Sequence, residues 1–210
     1  SNELADTDKL GEFFEELKRL KIKFYKPSIN NCFAEFVVKD NILYYALAAI
    51  KNVGHAAISL IVGEREKNGK FKSLDDFINR VDPLDINKLQ LEGLAKSGVF
   101  DCLFKNRKVL FDHIPNIIKI SKAEYENKSK NQINLFYDES ENFSHLIKNK
   151  NKNTKDWSSS ETLKKEFESL GFYMSNHPLQ EYKDILETYN VKDFKMFISQ
   201  NNNEANLAGV

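Results

Sequence analysis

Apolar residues fall at helical spacing in the opening stretch "TDKLGEFFEELKRL", where Leu10, Phe13, Phe14, Leu17 and Leu20 share a stripe and Thr7 stands at the cap position. The period then changes. "EFVVKDNILYY" reads as two short strands around Asp40-Asn41, a pair that tolerates left-handed backbone. "LAAIKNVGHAAISLIV", Leu47 to Val62, is apolar and helix-like, yet it is interrupted at its centre by Lys51-Asn52-Val53-Gly54. Further on, Ser73 caps "SLDDFINRV", whose early aspartates suit a helix N-terminus. A helix follows from Asn87 through "INKLQLEGLAKSGVFD" and stops at Ser97-Gly98. Asn106 caps a longer helix carrying Val109, Leu110, Ile114, Ile117 and Ile118, with a bend expected at Pro115.

The pattern is lost between Asn127 and Asp156, where Asn, Lys, Ser and acids dominate as in a flexible linker. It returns at Ser158, which with Glu161 predicts a capping box. Leu163, Phe167 and Leu170 line one face of that helix, and Gly171 ends it. A last amphipathic helix uses Leu179, Tyr182, Ile185, Leu186 and Tyr189. The elements predict a mainly α fold with one small β-hairpin.

The interruption at Lys51–Gly54 predicts two short helices joined by a tight turn, a helix-hairpin-helix. Leu47 and Ile50 face inward on the first helix, Val53 plugs the turn, and Ala57, Ile58 and Ile61 face inward on the second. Asn52 takes the positive φ that glycine would otherwise supply. Amides in the turn and in the first turn of the second helix are left without intrahelical partners, beside the positive end of a helix dipole. That geometry suits a phosphate oxygen, and Lys51 adds a charge. Lys51, Asn52, Val53, Gly54 and His55 are therefore candidate contacts to the DNA backbone, which carries no base information. His55 also reads as a plain solvent-facing helix residue.

A second hairpin is read at "LEGLAKSGVFDCL". Leu91 and Leu94 precede the Ser97-Gly98 turn, Val99 and Phe100 re-enter the core, and Lys96, Ser97 and Gly98 face phosphate. One hairpin alone reads rather as an ordinary packing element; two in tandem favour a grip on both strands of a duplex.

Composition narrows the classes. A hydrophobic fraction of 41% in 210 residues supports a core, and the formal net charge of zero means that any nucleic-acid contact is local. Cys32 and Cys102 read as reduced thiols of a cytoplasmic protein. No stretch is apolar enough to span a membrane. His55, His113, His145 and His177 are scattered without metal-ligand spacing, Asp75-Asp76 reads as a helix start, and Glu64–Lys67 as a solvated helix end. Trp157 reads as an anchor for the last helices, with stacking on a base as the alternative. Within the polar tract, Gln132, Ile133, Asn134, Leu135 and Phe136 ("QINLF") form an unexpected apolar cluster. It suits either a peptide that inserts Leu135 and Phe136 into a partner's pocket, or a staple onto the chain's own surface.

The segments "PSINNCFAEFVVKDNILYYALAAIKNVG", "FKSLDDFINRVD", "LEGLAKSGVFD" and "LGFYMSNHPLQEY", in this order, resemble the C-terminal region of the bacterial DNA polymerase III alpha family. Ala46 and Ala48 depart from glycines common in that family. The resemblance implies an end of a fingers domain with the β-hairpin over 1–46 and a tandem helix-hairpin-helix clamp-binding domain over 47–126. It further implies a linker with a clamp-binding peptide over 127–156, a helical connector over 157–200, and the first strand of an OB domain over 201–210. The closing "ANLAGV" reads as a strand cut short, as in a piece of a longer protein. The implied partners are duplex DNA, a sliding clamp and the other domains of a polymerase and replisome. Catalysis with magnesium would lie in the parent's palm domain, with no catalytic residue, cofactor or metal here. The alternatives are a structural or protein-interaction domain without DNA binding, and a hairpin domain of a repair enzyme.

Overall fold

The computed structural model describes residues 7–129, 143–150 and 154–191, together with Asn206 and Ala208. The expectations for Gln132–Phe136 and for the OB strand lie outside the described residues, Asn206 and Ala208 aside.

Helix α1 (Thr7–Arg19) leads into a small mixed sheet of β1 (Lys23–Tyr25), β2 (Val37–Lys39) and β3 (Ile42–Tyr44). The strand order is β1-β3-β2. The antiparallel β2–β3 pair is the expected hairpin, with Asp40 and Asn41 both at positive φ as a primed turn needs. Strand β1, parallel to β3, was not foreseen. Its three residues are too few for a period to show.

A 3-10 turn at Leu47–Ala49 precedes α2 (His55–Asn68), so the first arm of the hairpin is shorter than the full helix expected. Next come α3 (Leu74–Arg80), capped by Ser73, and α4 (Lys88–Lys96), capped by a reciprocal Asn87–Gln90 box. Instead of one bent helix the chain forms α5 (Arg107–Asp112) and α6 (Ile114–Ser129). The break falls at His113, because Pro115 has no N–H to continue the ladder. Residues 143–150, assigned by composition to the linker, form α7, and Phe143 is buried against Phe104 and His113. Helix α8 (Ser159–Leu170) has the predicted Ser158–Glu161 capping box and a left-handed Gly171. A 3-10 turn at Pro178–Tyr182 and α9 (Lys183–Thr188) close the described part, with Tyr182, Ile185 and Tyr189 exposed instead of packed.

One core joins these elements. Phe14, Phe24, Tyr45 and Phe172 pack α1 and the sheet against the chain after α8. Leu74, Phe77, Leu91, Phe100, Leu110 and Ile114 fill the space among α3 to α6. Trp157 lies on Phe111, which anchors the start of α8 as read from the sequence. Among the described residues, no helix is long and apolar enough to cross a membrane.

Arg65 and Phe167 also depart from the sequence reading. Arg65, placed in a solvated helix end, is 6% exposed. It donates to the carbonyls of Ile29 (2.8 Å) and Cys32 (2.6 Å), and it lies over the Phe33 ring. Phe167, expected in the core face of α8, is exposed and stacked on Tyr173, while Glu166 takes the buried position. Helical spacing alone cannot foresee a carboxylate drawn inward by a buried guanidinium.

Candidate nucleic-acid interface

The first hairpin folds as its residue types dictate. Leu47, Ile50, Val53, Ala57, Ile58 and Ile61 are all buried. Asn52 has φ +66° and Gly54 has φ +75°, so the turn is built on two left-handed residues. Lys51, Asn52, Gly54, His55 and Ala56 are exposed along its crest, with Val53 alone turned inward.

The hydrogen bonds show which amides are committed. The Lys51 N–H donates to the Ser169 carbonyl of α8 (2.9 Å), and the Val53 N–H donates to Ile50 (3.1 Å). Gly54, the N-cap of α2, offers no side chain to the first turn of the helix. Among the described residues, the amides of Asn52, Gly54, His55 and Ala56 have neither a side-chain cap nor a backbone acceptor outside the helix. They sit at the positive end of a 14-residue helix, on the same crest as the exposed Lys51. His55 Nδ1 contacts Ser59 Oγ (3.1 Å), and its Nε2 lies 3.5 Å from a Glu35 carboxylate oxygen. Glu35 is the one acid that the structure pairs with this crest among the described residues, and nothing in the local sequence pattern marked it.

The second turn is built the other way. Gly98 has φ +76°, as a helix C-terminus requires, but it is buried. Ser97, expected to face phosphate, is 3% exposed, and its hydroxyl donates back to the Gly93 and Leu94 carbonyls (2.9 and 3.1 Å). The amides of Ser97, Gly98 and Val99 donate to Gly93, Ala95 and Leu94. The Lys96 ammonium pairs with Glu168 (3.0 Å) and lies over the Phe111 ring. Burial alone would raise the Glu168 carboxyl, but Lys96 and Lys165 together hold it below its ordinary value. Arg107 closes the turn. A methyl group on Gly98 would clash with its guanidinium, and that guanidinium binds Asp101 (2.6 Å) and the buried Glu166 (3.0 Å).

The two hairpins are thus unlike. Lys51, Asn52, Gly54 and His55 come together on an open crest. Lys96, Ser97 and Gly98 are turned inward or paired under α8, which corrects the reading of a second phosphate-facing turn. Sequence spacing cannot distinguish them, since both carry a lysine and a left-handed glycine. The difference lies in Glu166 and Glu168, some 70 residues downstream.

No group of three or more His, Cys, Asp or Glu side chains that could hold a metal ion occurs among the described residues. Cys32 and Cys102 are free thiols, and burial pushes that of Cys32 up to about 11.

A family model described as a helix-hairpin-helix motif matches residues 21–110, from β1 through the first turn of α5. The DNA polymerase III subunit alpha of Borreliella burgdorferi is 43% identical over 190 residues, covering 90% of this chain and 16% of that protein. The Caulobacter vibrioides subunit is 33% identical over 187 residues (89% and 16%), and that of Rickettsia conorii is 33% identical over 248 (99% and 20%). This chain corresponds to a region of the bacterial DNA polymerase III alpha subunit. It spans a sixth to a fifth of the length of these relatives (16–20%). Within this polymerase III alpha region the helix-hairpin-helix match takes in both turns; the first presents exposed, uncommitted amides, while those of Ser97, Gly98 and Val99 in the second are bonded within the fold.

Proposed function

We propose that this region holds duplex DNA by its sugar–phosphate backbone, independently of sequence, as part of a template-directed DNA polymerase. The observation that carries this reading is the crest of the first hairpin. There exposed amides of Asn52, Gly54, His55 and Ala56 stand at a helix N-terminus beside Lys51. The match to a helix-hairpin-helix model and the names of the relatives support it. Nucleotidyl transfer with magnesium is assigned to the rest of the parent polypeptide, with no catalytic group contributed from this stretch. Since one turn is open and the net charge is zero, binding by this chain alone is expected to be weak and salt-sensitive.

The test is a fluorescence-anisotropy titration of the 210-residue chain with two duplexes of unrelated sequence over a range of salt. Equal affinities are expected for both. Lys51→Ala should weaken binding to each alike and reduce the log–log salt slope by about 1. No binding at low salt would leave the chain a structural or protein-interaction domain.

The second part of the proposal is a tether. Gln132–Phe136 is assigned as a peptide for a sliding clamp, with Leu135 and Phe136 entering an apolar pocket and Gln132 fixing the register. Its sequence, apolar within a polar tract and downstream of the hairpins, supports this reading. Replacing Leu135 and Phe136 by alanine should remove clamp binding in a surface-plasmon measurement; unchanged affinity would discard the assignment.

A further inference from the structure

A planar trans peptide points its C=O and the following N–H in opposite directions. An inward carbonyl therefore dictates an outward amide on the next residue. At the crest of the first hairpin, two carbonyls are held inward by the same helix. The Val53 carbonyl accepts a 2.6 Å hydrogen bond from Gln90 Nε2 on α4. The Lys51 carbonyl lies against Gly93 one turn further along α4, so close that a methyl group there would meet its oxygen at 2.9 Å. The amides sharing those two peptide planes belong to Gly54 and Asn52, both exposed and uncommitted among the described residues.

We infer that Gln90 and Gly93 are positioning residues for duplex binding, which aim the Gly54 and Asn52 amides at a phosphate oxygen without touching DNA. The inference rests on the proposed role of the first hairpin. Gln90 is well placed to act from a distance because its other contacts fix it. Its side-chain oxygen accepts from the Asn87 N–H (2.7 Å) and its backbone amide donates to the Asn87 side chain (3.0 Å), the two halves of the α4 capping box. The side chain thus spans from the start of α4 to the hairpin turn, half-buried between them. Gly93 supplies the close approach that any Cβ would prevent. The inward-facing second turn gains a purpose in this view: α4 buttresses the first hairpin, and α8 adds the Ser169 carbonyl that holds the Lys51 amide.

The decisive variant is Gln90→Glu. A carboxylate still serves the capping box, since glutamate is as good as glutamine at that position. The donor to Val53 is lost, however, and an oxygen is set against the carbonyl. The Val53–Gly54 plane should turn away, leaving Lys51 where it was. The expected result is about tenfold weaker binding of a short duplex at fixed salt. Because the new carboxylate also repels phosphate, the neutral Gln90→Met variant should show the same loss, with the salt slope of the unmodified chain since Lys51 is retained. A melting temperature within a few degrees of the unmodified chain should accompany it. Gly93→Ala should produce the same pattern through the Lys51–Asn52 plane. If Lys51→Ala weakens binding while Gln90→Glu binds as tightly as the unmodified chain, the positioning role is refuted and the hairpin reading survives. If neither changes the affinity, both fall together. Should the carboxylate unfold the chain, the neutral Gln90→Met variant decides: full affinity in that folded variant refutes the inference, and a loss with unchanged slope sustains it.

Discussion

Glu64 shows how single side chains lock α2 onto α3. Its carboxylate accepts from the Asn68 amide and from Arg80 Nε, each at 2.9 Å, and these bonds hold it below the usual carboxylate range. A depressed folded-state pKa contributes stability that is complete above the unfolded value of about 4.3 and disappears as pH falls through the folded one. Arg80→Leu should therefore lower the melting temperature at neutral pH and shrink its decline below about pH 4. A decline as steep as in the unmodified chain, followed by calorimetry from about pH 6 to about pH 3, would contradict this assignment. Arg80 also lies over the Phe71 ring and donates to the Gly69 carbonyl, so part of the neutral-pH loss comes from packing.

At the level of elements, α8 is the piece that makes the two hairpins different. Glu166, 2% exposed, accepts from Arg107 (3.0 Å), from the Ser175 N–H (2.9 Å) and from the Ser175 hydroxyl. Arg107 keeps Asp101 when Glu166 is removed, but the Ser175 N–H loses its acceptor and the guanidinium loses its buried partner, so Glu166→Ala should cost about 1–3 kcal/mol of stability in urea unfolding. A loss below about 1 kcal/mol would mean that the pair is dispensable and that the second turn is sealed by apolar packing alone. These elements also show what local sequence can reveal. The Asp40-Asn41 turn, the Asn52 conformation, the Ser73 and Ser158 caps and the Gly171 stop were legible because each depends on its own φ, hydroxyl or amide. Arg65, Glu166 and the inward-facing Ser97 were not legible, since their partners, from 3 to 59 residues away in sequence, are set by the tertiary packing. Gln90 left a faint signal: the Asn87–Gln90 spacing foretells a capping box, though not the reach to Val53.

On the scale of the whole molecule, the charge balance and the apolar surfaces carry the argument. Lysines and arginines equal acids in number, so the open crest cannot draw on a global positive field and must act by aimed donors. An apolar groove of about 310 Å³ between α1 and the sheet is lined by Phe13, Phe14, Leu17, Phe24, Phe36 and Tyr45. Phe13, in its lining, is exposed, as is Leu20 just past the end of α1, so the helical stripe read there is only half covered among the described residues. The mainly α fold and the first hairpin followed from periodicity; the sheet's third strand and α7 did not, because three-residue strands and polar tracts carry no period. We expect the first hairpin, and not the second, to meet DNA. This is tested most directly by adding a short duplex to the ¹⁵N-labelled chain and following backbone amide resonances. Asn52, Gly54, His55 and Ala56 should shift while Ser97, Gly98 and Val99 stay still. Shifts confined to the Ser97–Val99 turn, or none at either, would contradict that expectation.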